Sequence, residues 1–269
     1  MKYALVNGVR MEATKGVKAF CPFCGSELIS KMGEIKINHW AHKVKRNCDH
    51  WWENETPWHR IWKNHFPKDW QEVIHQDESG EKHIADVKTD EGWAIEFQHS
   101  PIKPDERRTR NSFYKKIVWV VDGSRRERDK PKLDKIFSER GSIRTDNFCF
   151  SYTEFPEDSR ILREWMNSEV PVFFDFNESS LWFLLPTVLN GNVYLLQVEN
   201  DFFIDAHTSN GFESFLIFVY TEFNEHHKQV KIRNEQVMKV RRSYAMYNYI
   251  LKYNRKRAFR TRTRGRRGL

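Results

Sequence analysis

The sequence has no run of eighteen apolar residues, so it contains no segment long enough for a transmembrane helix. The segment from Met1 to Gly16 also lacks the long apolar stretch of a signal peptide. We therefore expect a cytoplasmic location and no membrane partner. Hydrophobic residues make up 39% of the chain and aromatic residues 14%, which is enough for a sizeable core although 30% of the residues are charged.

Cysteine is scarce, with four in 269 residues. Three of the four lie close together near the N-terminus, which suits metal binding in a reducing compartment better than a disulfide framework. The pair Cys21-x-x-Cys24 is followed by Gly25, by a strand-like segment and by His39-Trp-Ala-His42, which is the layout of a small tetrahedral zinc module. We predict that zinc is bound by Cys21, Cys24, His39 and His42, with Cys48 as the alternative to one histidine.

The predicted zinc module covers residues 1–50. Four protein ligands would complete the coordination sphere, so the zinc would be structural. A catalytic ββα-metal site that begins at Asn38-His39 is an alternative, but a matching Asn and His on one downstream helix are missing. A further alternative is a pair of buried thiols with unrelated histidines.

Acidic residues are absent after Glu235, whereas residues 236–269 contain twelve Lys and Arg. The rest of the chain has 33 basic and 37 acidic side chains, so the net charge of +8 comes from this tail. We expect a helix followed by a disordered end that binds nucleic acid through counterion release. The absence of a regular apolar face argues against a membrane surface. The predicted nucleic-acid contacts of the tail are Arg255, Lys256, Arg257, Arg260, Arg262, Arg264, Arg266 and Arg267.

The segment from Ile84 to Ser100 predicts a β-hairpin with an acidic residue on each arm. Asp86 lies on the first arm and Glu96 on the second, and Asp90-Glu91-Gly92 supplies the turn. Because side chains alternate along a strand, Gln98 shares a face with Glu96. Two carboxylates and an amide would converge there, and oxygen ligands of this kind bind Mg²⁺ or Mn²⁺. This arrangement indicates hydrolysis of a phosphodiester.

The order of motifs resembles a known nuclease family. Asp86, nine further residues and Glu96-x-Gln98 resemble the core of the PD-(D/E)XK nucleases, with Gln98 at the position that lysine usually holds. Over residues 18–122 the chain resembles the competence protein CoiA-like family of these nucleases. The motifs that carry this resemblance are Cys21-x-x-Cys24, His39-Trp-Ala-His42, Glu55, His59, Lys63, Glu106-Arg107 and Phe113-Tyr114, besides the hairpin.

The resemblance implies an α/β fold with a restriction-endonuclease-like core and a mixed central sheet at residues 51–125. It implies Asp86, Glu96 and Glu55 as ligands of a catalytic Mg²⁺ or Mn²⁺. Apolar residues at helical spacing predict a helix over residues 53–66, which would carry Glu55 towards the metal. An ordinary row of surface charges on this helix is the alternative reading.

The remaining predicted roles concern water, charge and the nucleic-acid backbone. Gln98 would orient the attacking water, but a neutral amide cannot supply positive charge, so Lys63 or His59 would do so. His59 is also the candidate general base, because histidine titrates near neutral pH. Arg107 would contact nucleic acid. Arg110 would do the same, with a solvated helix face as the alternative.

Beyond the core we expect a connector at residues 126–147, a β-rich accessory domain of short strands at 148–235 and the basic segment at 236–269. The predicted function is metal-dependent cleavage of DNA, in competence, recombination, mobile-element biology or defence. One alternative is a DNA-binding or recombination protein with a nuclease fold and no cleavage, which Gln98 favours. Another is a zinc-containing scaffold on nucleic acid. The sequence does not choose between single-stranded, duplex and branched DNA, or RNA.

Overall fold

The chain divides into two compact units. In the computed structural model, residues 1–33, 37–44, 48–51, 55–138, 141–186 and 191–264 are described, with side chains as far as residue 247. One unit comprises Met1–Arg144 and Phe148–Phe215, and the other comprises Thr145–Asn147 and Leu216–Leu269.

The N-terminal part of the first unit is an antiparallel sheet of five short strands in the order β2-β1-β3-β4-β5. Asn7-Gly8 connects the first two strands, and both residues have positive φ, as the favoured two-residue hairpin turn requires. Trp40 and Leu28 are buried in the small core of this sheet. The strands are β1 (Tyr3–Val6), β2 (Val9–Glu12), β3 (Ala19–Phe20), β4 (Glu27–Lys31) and β5 (His39–His42).

The rest of the first unit is built on a second, larger sheet with helices. Two short 3-10 helices, Lys68–Trp70 and Pro156–Asp158, join its elements. In chain order the elements are α1 (Pro57–Asn64), β6 (Gln71–Gln76), β7 (Lys82–Lys88), β8 (Ala94–Gln98), α2 (Pro104–Tyr114), β9 (Ile117–Asp122), α3 (Asp129–Ser138), β10 (Ser142–Arg144), β11 (Cys149–Thr153), α4 (Arg160–Trp165), β12 (Val172–Asp175), β13 (Ser180–Leu184), β14 (Val193–Glu199) and α5 (Asn200–Thr208).

This sheet has nine strands in the order β10-β11-β14-β13-β12-β9-β8-β7-β6. The central strands β8, β9 and β12 are parallel, and the other described pairs are antiparallel. Every residue of β9 is buried, as expected for a β-branched run that is covered on both faces. The predicted α/β fold with a mixed sheet is confirmed, whereas its assignment to the PD-(D/E)XK nucleases stays a prediction.

The β-rich accessory domain predicted at residues 148–235 does not form a sheet of its own among the described residues. Its strands β11 to β14 continue the nine-stranded sheet, because β12 pairs in parallel with β9. The expected strands after Glu199 are wrong, since Asn200–Thr208 is a helix. Its buried residues Phe203, Ala206 and His207 recur at helical spacing, which the abundance of aromatic residues obscured.

The second unit contains most of the long helix α6 (Phe212–Arg264). The predicted helix in the basic segment is therefore confirmed, but it continues to Arg264 instead of giving way to a disordered end. None of the described helices has the length and apolar composition needed to cross a membrane. The predicted nucleic-acid contacts of the tail lie outside the residues whose side chains are described, namely Arg255, Lys256, Arg257, Arg260, Arg262, Arg264, Arg266 and Arg267.

One buried carboxylate ties helix α1 to the sheet. The indole nitrogens of Trp58 and Trp62 both donate to Asp175 Oδ2, at 2.8 and 2.7 Å, and Asn177 N donates to Oδ1 at 2.7 Å. We predict that Asp175→Ala lowers the free energy of unfolding by about 2–4 kcal/mol, because it leaves buried donors without an acceptor. In urea denaturation the exposed Asp134→Ala should cost no more than about 0.5 kcal/mol. Equal losses in the two variants would contradict this role.

Candidate functional site

The predicted hairpin is confirmed, with its two acidic residues side by side. β7 and β8 are antiparallel, and the register that pairs Val87 with Ile95 places Asp86 opposite Glu96. Phe97 N donates to Asp86 Oδ2 at 3.1 Å, which turns the Asp86 carboxylate towards the second arm. The short polar turn around Gly92, whose φ is +84°, lets these arms pair closely.

The two carboxylates lie in an environment that disfavours their charge. Burial, reinforced by the neighbouring Asp86, raises the pKa of Glu96 to about 8, and Arg110 only partly opposes this. Burial also raises the pKa of Asp86 above its ordinary value, although Lys63 and His59 act in the other direction. The Oε1 atom of Glu96 is buried and accepts no hydrogen bond. A buried carboxylate oxygen with no partner is the kind of atom that a cation would satisfy.

Arg110 contacts this pair from helix α2. Its guanidinium donates to Glu96 Oε2 at 3.2 Å, to Glu106 Oε1 at 2.5 Å and to the carbonyl oxygen of Trp51 at 2.8 Å. The side chain is 4% exposed. Burial against these three partners disfavours the predicted contact of Arg110 with nucleic acid, which stays a prediction.

Lys63 is the cation nearest to Asp86. Its Nζ lies 2.7 Å from Glu55 Oε1, 3.0 Å from Glu72 Oε1 and 3.9 Å from Asp86 Oδ1. Burial alone would lower the pKa of Lys63, but the three surrounding carboxylates raise it above its ordinary value. The side chain therefore keeps its positive charge beside Asp86, where the sequence analysis expected it.

Glu55 does not lie on the helix. Helix α1 begins at Pro57, with Thr56 as its N-cap, so the helix predicted over residues 53–66 is too long at its N-terminus. Residues 53 and 54 lie outside the described part of the chain. Glu55 binds Arg60 and Lys63, and these cations lower its pKa to about 2 in spite of burial. The carboxylate is thus already paired, which disfavours the predicted role as a metal ligand.

His59 and Gln98 both border the carboxylates and are buried. The Nδ1 atom of His59 accepts a hydrogen bond from Thr56 N at 3.2 Å, as part of a capping box. Gln98 donates through Nε2 to the carbonyl oxygen of Ser100 at 2.8 Å. A cavity of about 50 Å³ is lined by His59, Gln98, Asp86 and Glu96 among others. The predicted catalytic side chains other than Lys63 line this one cavity, and Lys63 contacts three of its carboxylates.

Sequence analysis missed Glu72, which lies on β6 next to this cavity. It has φ of +48°, a left-handed conformation that is costly for a residue with a side chain. Its carboxylate accepts hydrogen bonds from Lys2 N at 2.6 Å, Tyr3 N at 2.9 Å and Lys63 Nζ at 3.0 Å. The strand pattern gave no sign of it, because such a backbone bend cannot be seen in the alternation of residues.

A larger groove of about 850 Å³ begins at Gln98, which lines both cavities. Arg107 is on its wall, with Nη1 2.5 Å from the carbonyl oxygen of Glu164 and the guanidinium over the Trp165 ring. Arg107 thus lines the groove next to the candidate site with a mostly buried side chain, and its contact with nucleic acid stays a prediction.

The N-terminal sheet gathers a Cys₃His group that could hold a metal such as zinc. The Sγ atoms of Cys21 and Cys48 are 3.8 Å apart, close to the edge of about 3.8 Å expected for a tetrahedron with zinc–sulfur bonds of about 2.3 Å. Cys24 Sγ lies 3.3 Å from His42 Nε2. His39 is not part of this group, since its Nδ1 faces the carbonyl oxygen of Ile37 at 2.9 Å. Cys48, the alternative ligand, takes its place.

Asp49 connects this group to the strand that carries Asp86. Asp49 directly follows Cys48 in the chain. The Asp49 carboxylate contacts His83 Nδ1 at 2.8 Å and accepts a hydrogen bond from Ile84 N at 2.6 Å. His50, His83 and Asp49 also cluster closely enough to be considered as metal ligands. However, both ring nitrogens of His83 face carboxylates, because Glu81 lies 2.9 Å from Nε2. This favours a hydrogen-bonded brace over a metal site.

Comparison with known proteins supports a CoiA-like chain. Residues 7–50 match the family model described as the N-terminal domain of competence protein CoiA. The chain is similar to the competence protein CoiA of Bacillus subtilis (strain 168), with 27% identity over 139 residues, or 47% of this chain and 37% of that protein. The match thus spans little more than a third of the relative's length. No solved structure matches the chain. The expected CoiA-like resemblance is confirmed; the nuclease superfamily stays a prediction.

The raised pKa of Glu96 predicts a pH-dependent stability in the metal-free protein. A carboxyl group with a folded pKa of about 8 and an ordinary value of 4.5 stabilises the fold below pH 4.5 and loses this effect as the pH rises towards 8. Asp86 is shifted in the same direction. In EDTA, the free energy of unfolding should therefore fall by more than about 1 kcal/mol between pH 5 and 8, and less so in Glu96→Gln.

Urea denaturation at the two pH values tests this expectation, with Glu27→Gln, at a half-exposed carboxylate outside the site, as the control variant. Glu27→Gln should follow the wild type. If Glu96→Gln also follows the wild type, Glu96 does not carry the shifted proton.

If zinc is bound by the group that includes Cys48 and not His39, two variants should differ in zinc content. Purified wild-type protein should contain about one zinc per chain, and Cys48→Ser should lose it, because the thiolate closes the tetrahedron. His39→Gln should retain zinc, since this side chain lies outside the group. Metal analysis of the three proteins separates the two sets. Loss of zinc in His39→Gln with retention in Cys48→Ser would restore the original assignment.

Proposed function

We propose that this protein is a metal-dependent nuclease that hydrolyses phosphodiester bonds of DNA. The observation that carries the proposal is the pair of the half-buried Asp86 and the buried Glu96, with the unpartnered Glu96 Oε1. Burial raises the pKa of both carboxylates, and Asp86 raises that of Glu96 further, so the pair gains from a divalent cation that offsets the lost hydration and the repulsion.

The donor set fits Mg²⁺ or Mn²⁺, with Asp86 and Glu96 as the protein ligands. Hard cations of this kind need only one or two carboxylates, and water and phosphate complete the shell. Such an ion supplies Lewis-acid polarisation of the phosphate and activation of a water. Glu55 is a weaker candidate ligand, since Arg60 and Lys63 already hold it.

The chain's own residues would share the remaining work around the phosphate. Gln98 stands where most nucleases of this fold have a lysine. Lys63, whose positive charge lies 3.9 Å from Asp86, would supply the charge of that lysine. Gln98 borders both the small cavity and the groove, so its amide can orient a water between them. His59 carries its hydrogen on Nε2, because Nδ1 accepts from Thr56 N. It therefore acts as a donor towards phosphate and not as the expected base.

The Cys₃His group is proposed as a structural zinc site. Its four protein ligands leave no position for substrate. Burial, with the neighbouring Cys21, raises the pKa of the Cys48 thiol to about 12. The thiolate form that binds metal is therefore unfavourable here unless a cation such as zinc offsets its charge. Through Asp49, zinc would hold the strand that carries Asp86 in place.

A nuclease-fold protein that binds DNA without cutting it is the second candidate. The observation that favours it is the ion pair of Arg110 with Glu96, which could stand in for a metal ion by neutralising one carboxylate. The two candidates differ in one respect, which is cleavage that depends on a divalent ion. We place either activity in DNA processing, with competence, the role named for the Bacillus relative, as one setting.

Purified protein incubated with labelled single-stranded, duplex and branched DNA tests the proposal. With Mg²⁺ or Mn²⁺ we expect cleavage that EDTA abolishes and that Asp86→Asn and Glu96→Gln reduce at least about 100-fold. Asp90→Asn changes a carboxylate in the turn of the same hairpin and should retain activity. Binding without cleavage of any substrate would favour the second candidate, and cleavage by Glu96→Gln would refute the site.

A further inference from the structure

Two polar residues meet where the parallel strands β8 and β9 end. Gln98 pairs with Val121, so the next residues, His99 and Asp122, lie side by side at the carboxyl ends of these strands. His99 Nδ1 is 2.7 Å from Asp122 Oδ2. Ligand sites in α/β sheets gather at this edge, outside the carboxyl ends of the strands.

Asp122 is fixed so that one oxygen faces the histidine. Its Oδ1 accepts hydrogen bonds from Ser124 N at 3.0 Å, Ser124 Oγ at 2.7 Å and Arg125 N at 3.1 Å. The Asp122 side chain is 4% exposed, whereas that of His99 is 32% exposed. The buried carboxylate therefore holds a ring that remains open on its other side.

The hydrogen bonds determine where each ring carries its hydrogen. A carboxylate only accepts, so His99 donates through Nδ1, and the neutral ring has its lone pair on Nε2. His59 has the opposite tautomer, because Thr56 N can only donate to its Nδ1. The two rings are 6.0 Å apart. Of these two neighbours, His99 is the one that can accept a proton without losing a hydrogen bond.

His99 opens into the larger groove, next to Gln98. The groove has six basic residues against the three acidic residues Asp122, Glu164 and Glu169, and this balance attracts a phosphate backbone. Arg125, one of the basic residues, also donates to the carbonyl oxygen of His99 at 2.7 Å, which holds the end of β8 in place. The basic residues are Arg107, Arg108, Lys115, Arg125, Arg126 and Arg163.

We propose that His99 and Asp122 form a proton-accepting dyad at this groove, with His99 as a catalytic residue and Asp122 as its positioning residue. The inference rests on the proposed nuclease function. Water attacks the phosphorus atom, and its proton passes to His99 Nε2. The bond from phosphorus to the leaving ester oxygen breaks, and that oxygen takes a proton from solvent water. His99 then releases its proton to solvent.

Cleavage of labelled DNA by the full chain in Mg²⁺ tests the dyad. We expect His99→Ala to cleave about 10²–10⁴-fold more slowly than wild type, the usual contribution of a general base. Added imidazole should restore at least about tenfold in His99→Ala, because it replaces the missing base, but nothing in Glu96→Gln. The exposed His65→Ala is the matched control and should cleave as wild type. Thermal unfolding of each variant checks that it is folded.

The variant Asp122→Asn tests the positioning role through the location of the ring hydrogen of His99. A purely structural role of Asp122 would leave that location unchanged. Because three donors hold the Oδ1 position, the amide nitrogen of the variant should face His99 and force its hydrogen onto Nε2. Nitrogen NMR of the His99 ring should show the hydrogen on Nδ1 in the wild type and on Nε2 in Asp122→Asn, with a matching loss of rate.

Each outcome decides between the two claims. If His99→Ala cleaves within about threefold of wild type while Glu96→Gln is inactive, the dyad is refuted and the nuclease function stands. If NMR finds the wild-type hydrogen on Nε2, the dyad is refuted whatever the cleavage rate. If the wild type cleaves no DNA, the proposed function and the dyad fail together.

Discussion

The site depends on two neighbouring carboxylates, the buried Glu96 and the half-buried Asp86, that are largely removed from water. Asp86 and Glu96 cannot both be ionised in this environment without compensating positive charge. Lys63 and Arg110 are the neighbouring cations, but Lys63 also pairs with Glu72 and Arg110 with Glu106. The positive charge around the two carboxylates is therefore too small to neutralise them. A divalent cation would remove this deficit and would also give the unpartnered Glu96 Oε1 a ligand.

The surrounding structure serves to hold this pair in place. Lys2 and Tyr3, where the first strand of the N-terminal sheet begins, donate their backbone N–H groups to Glu72, and Glu72 in turn binds Lys63. On the other side, Asp49 follows Cys48 and accepts a hydrogen bond from the backbone of β7, two residues before Asp86. Both contacts join the N-terminal sheet to the strands of the site. The small sheet and its Cys₃His group therefore act as a brace for the carboxylates.

Local patterns predicted the part of the site that lies within one hairpin. Strand alternation and a polar turn are enough to bring Asp86 and Glu96 together. The place of Cys48 in the Cys₃His group depends on contacts between segments apart in sequence, and the pairing of Glu55 depends on where a helix begins, so neither follows from spacing. The strands expected after Glu199 are a helix instead, because aromatic residues suit buried strands and buried helix faces equally well. His99 and Asp122 meet only through the parallel pairing of strands distant in sequence, although both directly follow buried strands.

Titration calorimetry with Mn²⁺ at pH 7 is the most direct test of the carboxylate pair as a cation site. Because Glu96 has a pKa of about 8, it is largely protonated at this pH, and binding must release its proton. The account predicts one Mn²⁺ per chain, a binding enthalpy that changes with the ionisation enthalpy of the buffer, and no binding in Glu96→Gln. Binding that is unchanged in Glu96→Gln, or no binding by the wild type, would contradict it.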